Sequence, residues 1–184
     1  ELHQANGVDI REGVGLDHLI GDTHVTGAKL TDGTILDFDF AVVGVGISPA
    51  SILADSAGVI LDNGIATDLN GRTSDPHIWA AGDCASCLFN DTRIRIESVG
   101  NAIDQAEVVA KNIMGANLTY APNPWFWSDQ YSCKLQIAGL NVGYTDVYVR
   151  KGDADGVQSH WYYKDSQLIA VDAMNDPRNY MVGK

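Results

Sequence analysis

The chain has 184 residues, of which 45% are apolar and 20% are charged, and this composition is typical of a globular protein of one or two domains. Its formal net charge of −12 argues against nucleic-acid binding, because contacts with phosphate groups need a basic surface. No apolar run approaches the ~20 residues of a membrane-spanning helix. The three cysteines are an odd number and favour a reducing compartment, so we expect a cytoplasmic protein without a membrane segment.

The first part of the chain, to about residue 65, has the pattern of strands. Residues 24–30 and 34–36 alternate between apolar and polar side chains, and the turn residues 31–33 between them predict a hairpin. Residues 38–46 are continuously apolar at their centre, which predicts a short strand buried on both faces of a sheet.

The middle part, residues 66–116, combines a short strand with a helix. Residues 78–81 are apolar and end at Gly82-Asp83, which predicts the end of a strand. Apolar side chains then recur every three or four residues, which predicts a helix over 99–113 that Ser98 caps and Gly115 ends. We expect the core to lie against the apolar side of this helix, formed by Val99, Ala102, Ile103, Ala106, Val109, Ala110 and Ile113.

The last part, residues 117–184, begins at a proline-rich stretch and continues with short strand-like runs. These runs cover residues 134–138, 147–150, 157–163 and 167–173. The last two flank Lys164-Asp165-Ser166 and predict a hairpin. We therefore expect a small antiparallel sheet here, distinct from the parallel type of pattern that precedes it.

Two features of the middle part could bind a ligand. Asp83 would lie at the carboxyl edge of a sheet, where α/β proteins bind ligands, and could accept hydrogen bonds from sugar or sugar-alcohol hydroxyls. The unpaired amides where the helix begins, near Val99, could hold a phosphate or an anionic ring edge. On these features alone, a turn aspartate and an ordinary helix cap are the simpler interpretations.

Four stretches of the chain carry a specific resemblance to one protein family. The first stretch, residues 73–85, is similar to a second FAD motif, and the second consists of residues 95–99 with Asn101, Ala102, Gln105 and Ala106. The third is the run 124–131, which contains Trp-Phe-Trp-Ser-Asp-Gln, and the fourth is residues 171–175. Together they resemble the FAD-dependent NAD(P)H:ferredoxin reductases of oxygenase systems, which belong to the pyridine nucleotide-disulphide oxidoreductases.

The resemblance implies an α/β fold. The chain would be the C-terminal part of a flavoprotein reductase with two dinucleotide-binding domains, followed by a small α+β domain with an antiparallel sheet. Residues 1–65 would be the C-terminal half of the NAD-binding domain. Residues 66–116 would be a returning segment of the FAD-binding domain, and residues 117–184 a truncated C-terminal domain.

The resemblance also implies an oxidoreductase function and roles for particular residues. NADH would pass a hydride to FAD, and single electrons would then go to a 2Fe-2S ferredoxin that feeds a Rieske dioxygenase or a P450. Gly82 and Asp83 would hold the ribityl chain of FAD. The amide of Val99, in the helix that Ser98 caps, would face the pyrimidine edge of the flavin, and Glu97 would line the nicotinamide side.

Further residues would contact the ring system and the partners. Trp127 would lie close to the isoalloxazine and the NADH entry, and Gly44 and Gly46 would border NADH. Ferredoxins are commonly acidic, so Arg93 and Arg95 are candidates for a docking site, although solvated surface arginines are an equally simple interpretation. A homodimer is a further expectation.

The chain also departs from this family. A complete Gly-x-Gly-x-x-Gly turn is absent, since Pro49 stands where the third glycine after Gly44 and Gly46 would be. We therefore expect the C-terminal half of such an enzyme, which by itself binds FAD and NAD weakly or not at all. The alternatives are a non-catalytic interaction or dimerisation module, a rubredoxin reductase, or a flavoprotein like apoptosis-inducing factor.

Cys84 and Cys87 form a C-x-x-C motif, which could be a redox pair or half of a zinc site. We interpret it as structural or incidental, because the second pair of a zinc site is missing. We predict no metal site and no catalytic residue within the chain.

Overall fold

The structure, a computed structural model, describes residues 1–89 and 92–184. Its residues separate into two compact units, Glu1–Ile47 and Ser48–Lys184. Within the described part of the chain, no helix has the length and apolar character needed to cross a membrane.

The first unit contains a short helix and one antiparallel sheet. The helix α1 spans Leu2–Ala5, and the sheet consists of β1 (Leu16–Ile20), β2 (Gly27–Leu30) and β3 (Ile35–Asp37), in that order. The predicted hairpin between β2 and β3 is confirmed. Its turn closes as the Asp32 side chain accepts a hydrogen bond from the Thr34 amide at 2.9 Å.

The predicted strand over residues 38–46 is wrong in this structure. No strand among the described residues pairs with this segment, and the side chains of residues 39–46 are exposed, with Val42 at 88% and Val45 at 90%. A strand buried on both faces needs a hydrogen-bonded neighbour on each side. The sheet of the first unit ends at β3, so the apolar run has no such neighbour and adopts no regular structure.

The second unit begins with the helix α2 (Ile52–Ser56) and a small three-stranded sheet. Its strands are β4 (Ile65–Ala66), β5 (Ala85–Phe89) and β6 (Thr92–Ile94). The first two pair in parallel, and the last two pair antiparallel.

The predicted strand over residues 78–81 is also wrong. Trp79 makes an isolated bridge with Arg72, and the Ala80 amide donates to the Gly71 carbonyl at 3.1 Å. The backbone of this segment thus makes part of its hydrogen bonds with the loop that precedes it and not with strands of a sheet.

The predicted helix is confirmed as α3 (Val99–Ile113), and so are both of its ends. Ser98 is the N-cap, and its hydroxyl accepts a hydrogen bond from the Asn101 amide at 3.1 Å. At the other end Gly115 has φ +96° and donates to the Asn112 carbonyl, while Ala116 donates to the Lys111 carbonyl. These two bonds form a Schellman motif, which favours glycine because the backbone is left-handed there.

The expected core-facing side of α3 is wrong in part. Val99, Ile103 and Ile113 are 58%, 55% and 58% exposed. The residues of α3 that are buried are Gly100, Asn101, Gln105, Val109 and Asn112. The three polar side chains of this set are hydrogen-bonded to loops beside the helix, which removes most of the cost of burying them.

The last part of the chain is the predicted antiparallel sheet, with five strands. They are β7 (Trp125–Gln130), β8 (Cys133–Gly139), β9 (Asp146–Lys151), β10 (Gln158–Lys164) and β11 (Gln167–Met174), in the order β7-β8-β11-β10-β9. The β10–β11 hairpin turns at Asp165 and Ser166, which both have positive φ. Strand β7 is not among the runs predicted from the sequence.

One face of this sheet forms the main core. The helix α4 (Pro177–Gly183) packs against β11 and β8. The buried cluster consists of Ala138, Trp161, Val171, Ala173 and Tyr180.

Candidate functional site

Gly82 and Asp83 lie in a tight turn that is held against α3. Gly82 has φ +77°, which favours glycine, and begins a single turn of 3-10 helix. A Cβ atom on Gly82 would lie 3.4 Å from the Cβ of Ala102, so the turn and the helix approach closely. The Gly82 amide donates to Oε1 of Gln105 at 2.8 Å. Asp83 itself is exposed, and its carboxylate is available to a ligand.

The start of α3 lies beside this turn. Ser98 has an extended backbone and caps the helix with its side chain. The amides of Val99 and Gly100 precede the first intrahelical hydrogen bond and carry the positive end of the helix dipole. Val99 is exposed, so this end of the helix is open to a negatively charged or electron-rich group.

Arg95 connects the turn to the residues before the helix. Its Nη1 donates to the Asp83 carbonyl oxygen at 3.0 Å and lies 2.7 Å from Oε1 of Glu97. A Cβ atom on Gly64 would lie 2.6 Å from Cδ of Arg95, so the side chain packs closely on that glycine. Only 9% of the Arg95 side chain is exposed, against 42% for Glu97. The structure therefore gives Arg95 an internal contact role beside two predicted site residues.

Arg93 is also engaged within the chain. Its guanidinium donates to the carbonyl oxygens of Thr67 and Ser86, and its Nε lies 3.5 Å from a carboxylate oxygen of Asp62. Its side chain is 26% exposed, more than that of Arg95. Docking of a partner by these two arginines stays a prediction.

Trp127 joins the site through a second tryptophan. It is 48% exposed and stacks on Trp125, with ring centroids 5.4 Å apart and an interplanar angle of 25°. Trp125 in turn lies against Gly100, where a Cβ atom would be 2.3 Å from the indole nitrogen. The stack therefore places an exposed aromatic surface near the start of α3.

Gly44 and Gly46 belong to the first unit. Gly46 has φ +106°, and a Cβ atom on either glycine would meet no heavy atom of the described residues within 4 Å. The turn is open, and its predicted role toward NADH stays a prediction.

The residues of the second unit fit the flavin that the resemblance implies. An exposed carboxylate, an open helix start and a half-exposed indole lie at or near the first two turns of α3. Nε of Arg95 is buried there and finds no acceptor among the described residues. Because the protein itself covers that atom, the fit to a flavin depends on the carboxylate, the helix start and the indole.

The thiols of the C-x-x-C motif are free in the structure. Burial raises the pKa of the Cys87 thiol, which lowers its reactivity. Among the described residues, no group of three or more His, Cys, Asp or Glu side chains could hold a metal ion.

Sequence reasoning missed two features of the site. It assigned the arginines to the surface by residue type, although Arg95 is mostly buried. It included Gln105 in the resemblance without giving it a role, although Gln105 is 2% exposed and holds Gly82. Gln105 follows Asn101 by four residues, so the two polar side chains lie on the same side of the helix. This spacing could have predicted that one side of α3 is both polar and buried.

Comparison with protein-family models gives two matches. Residues 1–106 match the model described as pyridine nucleotide-disulphide oxidoreductase, and residues 125–184 match the model described as reductase C-terminal.

Comparison with individual proteins gives concordant results. The chain is 43% identical to a ferredoxin–NAD(P)+ reductase of Sphingomonas sp. and 40% identical to putidaredoxin reductase of Pseudomonas putida, over 100% of this chain and 46% and 44% of those proteins. Its structure is similar to the reductase in a covalent putidaredoxin reductase–putidaredoxin complex, with a TM-score of 0.93 and 39% identity, over 100% of this chain and 45% of that one. The ferredoxin reductase of the CYP199A2 system from Rhodopseudomonas palustris gives the same TM-score and identity, over 98% and 46%. The chain thus spans somewhat less than half the length of these relatives.

Proposed function

The chain belongs to the pyridine nucleotide-disulphide oxidoreductase family, and from this premise we propose that it is the C-terminal half of an FAD-dependent NAD(P)H:ferredoxin reductase. The similarity to ferredoxin reductases at about 40% identity over the whole chain supports this assignment. The proposed domain limits are those of the sequence analysis, with residues 1–65 from the NAD-binding domain, 66–116 from the FAD-binding domain and 117–184 from the C-terminal domain.

FAD, when bound in the intact protein, would accept one hydride from NADH and pass its two electrons, one at a time, to two 2Fe-2S ferredoxin molecules. The residues of this chain would bind and orient the reactants. The Asp83 carboxylate would accept hydrogen bonds from the ribityl hydroxyls. The amides at Val99 and Gly100 would favour negative charge at the pyrimidine edge, and Glu97, held by Arg95, would line the nicotinamide side.

The observation that carries this proposal is the convergence of Gly82, Asp83, Glu97, Val99 and Trp127 around the start of α3. Arg95 joins Asp83 to Glu97, Gln105 holds Gly82 against the helix, and the stacked tryptophans bring Trp127 to it. These residues come from three separate segments of the sequence, and an ordinary helix cap would not require an exposed indole and a clamped carboxylate beside it.

The remaining assignments depend on the intact protein. Trp127 would lie at the flavin and near the docked ferredoxin, Gly44 and Gly46 would border NADH, and Arg93 with Arg95 would contribute to docking. The ferredoxin would feed a Rieske dioxygenase or a P450. The free cysteines support a cytoplasmic location, and the proposed homodimer can be checked by light scattering.

The test compares the intact protein with the 184-residue chain. The intact protein should purify with stoichiometric FAD, be bleached by NADH without oxygen, and reduce a 2Fe-2S ferredoxin. The 184-residue chain should retain little FAD. In the intact protein, Asp83→Ala should weaken FAD binding, whereas Asp55→Ala, an exposed aspartate of α2, should not.

Other outcomes would identify the alternatives. An intact protein without flavin would favour an interaction module. Faster reduction of rubredoxin than of ferredoxin would favour a rubredoxin reductase, and the chain is 34% identical to one from Pseudomonas putida over 95% of its length. Stoichiometric FAD on the 184-residue chain would contradict the expectation that this half binds it weakly.

A further inference from the structure

Gln105 is the most deeply buried polar side chain close to the proposed flavin site. It lies in the second turn of α3, is 2% exposed, and accepts a hydrogen bond from the Gly82 amide at 2.8 Å. We infer that Gln105 is a positioning residue, which fixes the Gly82-Asp83 turn against α3 so that the Asp83 carboxylate and the start of the helix contact the same FAD molecule. This inference rests on the proposed function.

The hydrogen bond between Gly82 and Gln105 satisfies two buried polar groups at once. The Gly82 amide is buried at the start of a single 3-10 turn, and a buried amide without an acceptor is costly. The Gln105 amide group is equally costly to bury without a partner. Ala102, three residues earlier on the same side of α3, leaves little room beside this glycine, since a Cβ atom on Gly82 would lie 3.4 Å from its methyl carbon. The hydrogen bond therefore spans a close approach between turn and helix.

Asn101, one turn before Gln105 on the same side, holds the second ligand-bearing loop. Its Nδ2 donates to the Ile96 carbonyl at 3.0 Å, and its Oδ1 accepts from the Tyr120 hydroxyl at 2.8 Å. Ile96 directly precedes Glu97. The buried polar side of α3 therefore fixes both loops of the site, one through Asn101 and the other through Gln105.

Asn112 provides the matched control on the same helix. It is 3% exposed, and its Nδ2 donates to the carbonyl oxygens of Asn70 and Leu118, both at 2.8 Å. It lies in the last turn of α3, whereas the proposed flavin contacts lie at the first. Asn112 Oδ1 also accepts from the Leu118 amide, so loss of Asn112 should damage the fold at least as much as loss of Gln105, without moving Asp83.

The experiment uses the intact reductase with Gln105→Leu and Asn112→Leu. Thermal melting of the apoprotein measures the fold, and titration of the apoprotein with FAD, followed by flavin fluorescence, measures the Kd. Both variants should melt at lower temperature than the wild type. Gln105→Leu should raise the FAD Kd at least tenfold, and Asn112→Leu less than threefold. Gln105→Glu, which keeps an oxygen acceptor of the same length, should bring the Kd back toward the wild-type value.

Equal changes in Kd for the two leucine variants, or an unchanged Kd in Gln105→Leu, would overturn the inference while leaving the proposed function intact. If the wild type binds no FAD, both the positioning role of Gln105 and the proposed function are refuted. Should Gln105→Leu fail to fold, Gln105→Met takes its place, since methionine has nearly the same shape and lacks the acceptor. A wild-type Kd in that variant would again overturn the positioning role.

Discussion

Removal of the Tyr120 hydroxyl tests the hydrogen-bond network behind the proposed site. Tyr120 is 8% exposed and donates to Oδ1 of Asn101, which is also buried. In Tyr120→Phe this acceptor loses its partner. An unsatisfied buried acceptor costs about 1–3 kcal/mol, so we expect the free energy of unfolding to fall by about that amount at pH 7.

The pH dependence of the effect follows from the titration of the phenol. Burial, with a smaller contribution from the Asp104 carboxylate, raises the pKa of Tyr120 to about 12, from an ordinary value of 10.0. The unfolded chain therefore releases this proton at lower pH than the folded chain does. The contribution of Tyr120 to the free energy of unfolding is complete below pH 10 and is lost as the pH rises toward 12. Between pH 9 and 11 the loss of stability is on the order of 1 kcal/mol.

The measurement is urea unfolding of the 184-residue chain, followed by tryptophan fluorescence, for wild type and Tyr120→Phe at several pH values. The difference between the two cancels the other alkaline titrations, and it should shrink as the pH rises. Tyr148→Phe is the control, because Tyr148 is 60% exposed and should change stability by less than about 0.5 kcal/mol. A Tyr120 effect that equals the control, or that does not vary with pH, would refute the reasoning.

Three further predictions concern packing, reactivity and docking. Gly100→Ala would place a methyl group 2.3 Å from the Trp125 indole nitrogen, so it should break the tryptophan stack, shift the tryptophan fluorescence and lower stability by about 1–3 kcal/mol. Since burial raises the pKa of Cys87, iodoacetamide at pH 8 should modify it more slowly than Cys133, as peptide mass mapping would show. Arg93→Ala in the intact reductase should raise the KM for ferredoxin several-fold and leave the KM for NADH unchanged; equal changes in both would argue against docking.

Local signals account for what could be predicted from the sequence. Helix α3 and its caps depend on residues within a few positions of each other, since Ser98 bonds to Asn101 and Gly115 closes the last turn. The β10–β11 hairpin depends in the same way on its own two-residue turn. Such features are fixed wherever the segment lies in the protein.

The failures concern features that depend on distant partners. Residues 38–46 and 78–81 have the composition of strands, but a strand forms only where another strand accepts its hydrogen bonds. Which side of α3 is buried likewise depends on the loops that pack against it. Gln105 is buried because the amide of Gly82, 23 residues earlier in the sequence, donates a hydrogen bond to it. Periodicity of apolar residues cannot show this, and it therefore assigned exposed residues such as Ile103 to the core.

The charges near the proposed site decide what kind of docking is plausible. Arg95 is held by Glu97 and Arg93 lies near Asp62, so these two arginines are partly neutralised by carboxylates of the same chain. With a net charge of −12, this half of the protein would repel an acidic ferredoxin, and salt screens that repulsion beyond a Debye length of about 8 Å at physiological ionic strength. Attraction must therefore come from short-range contacts, and the half-exposed Trp127 offers the largest aromatic surface for them near the start of α3.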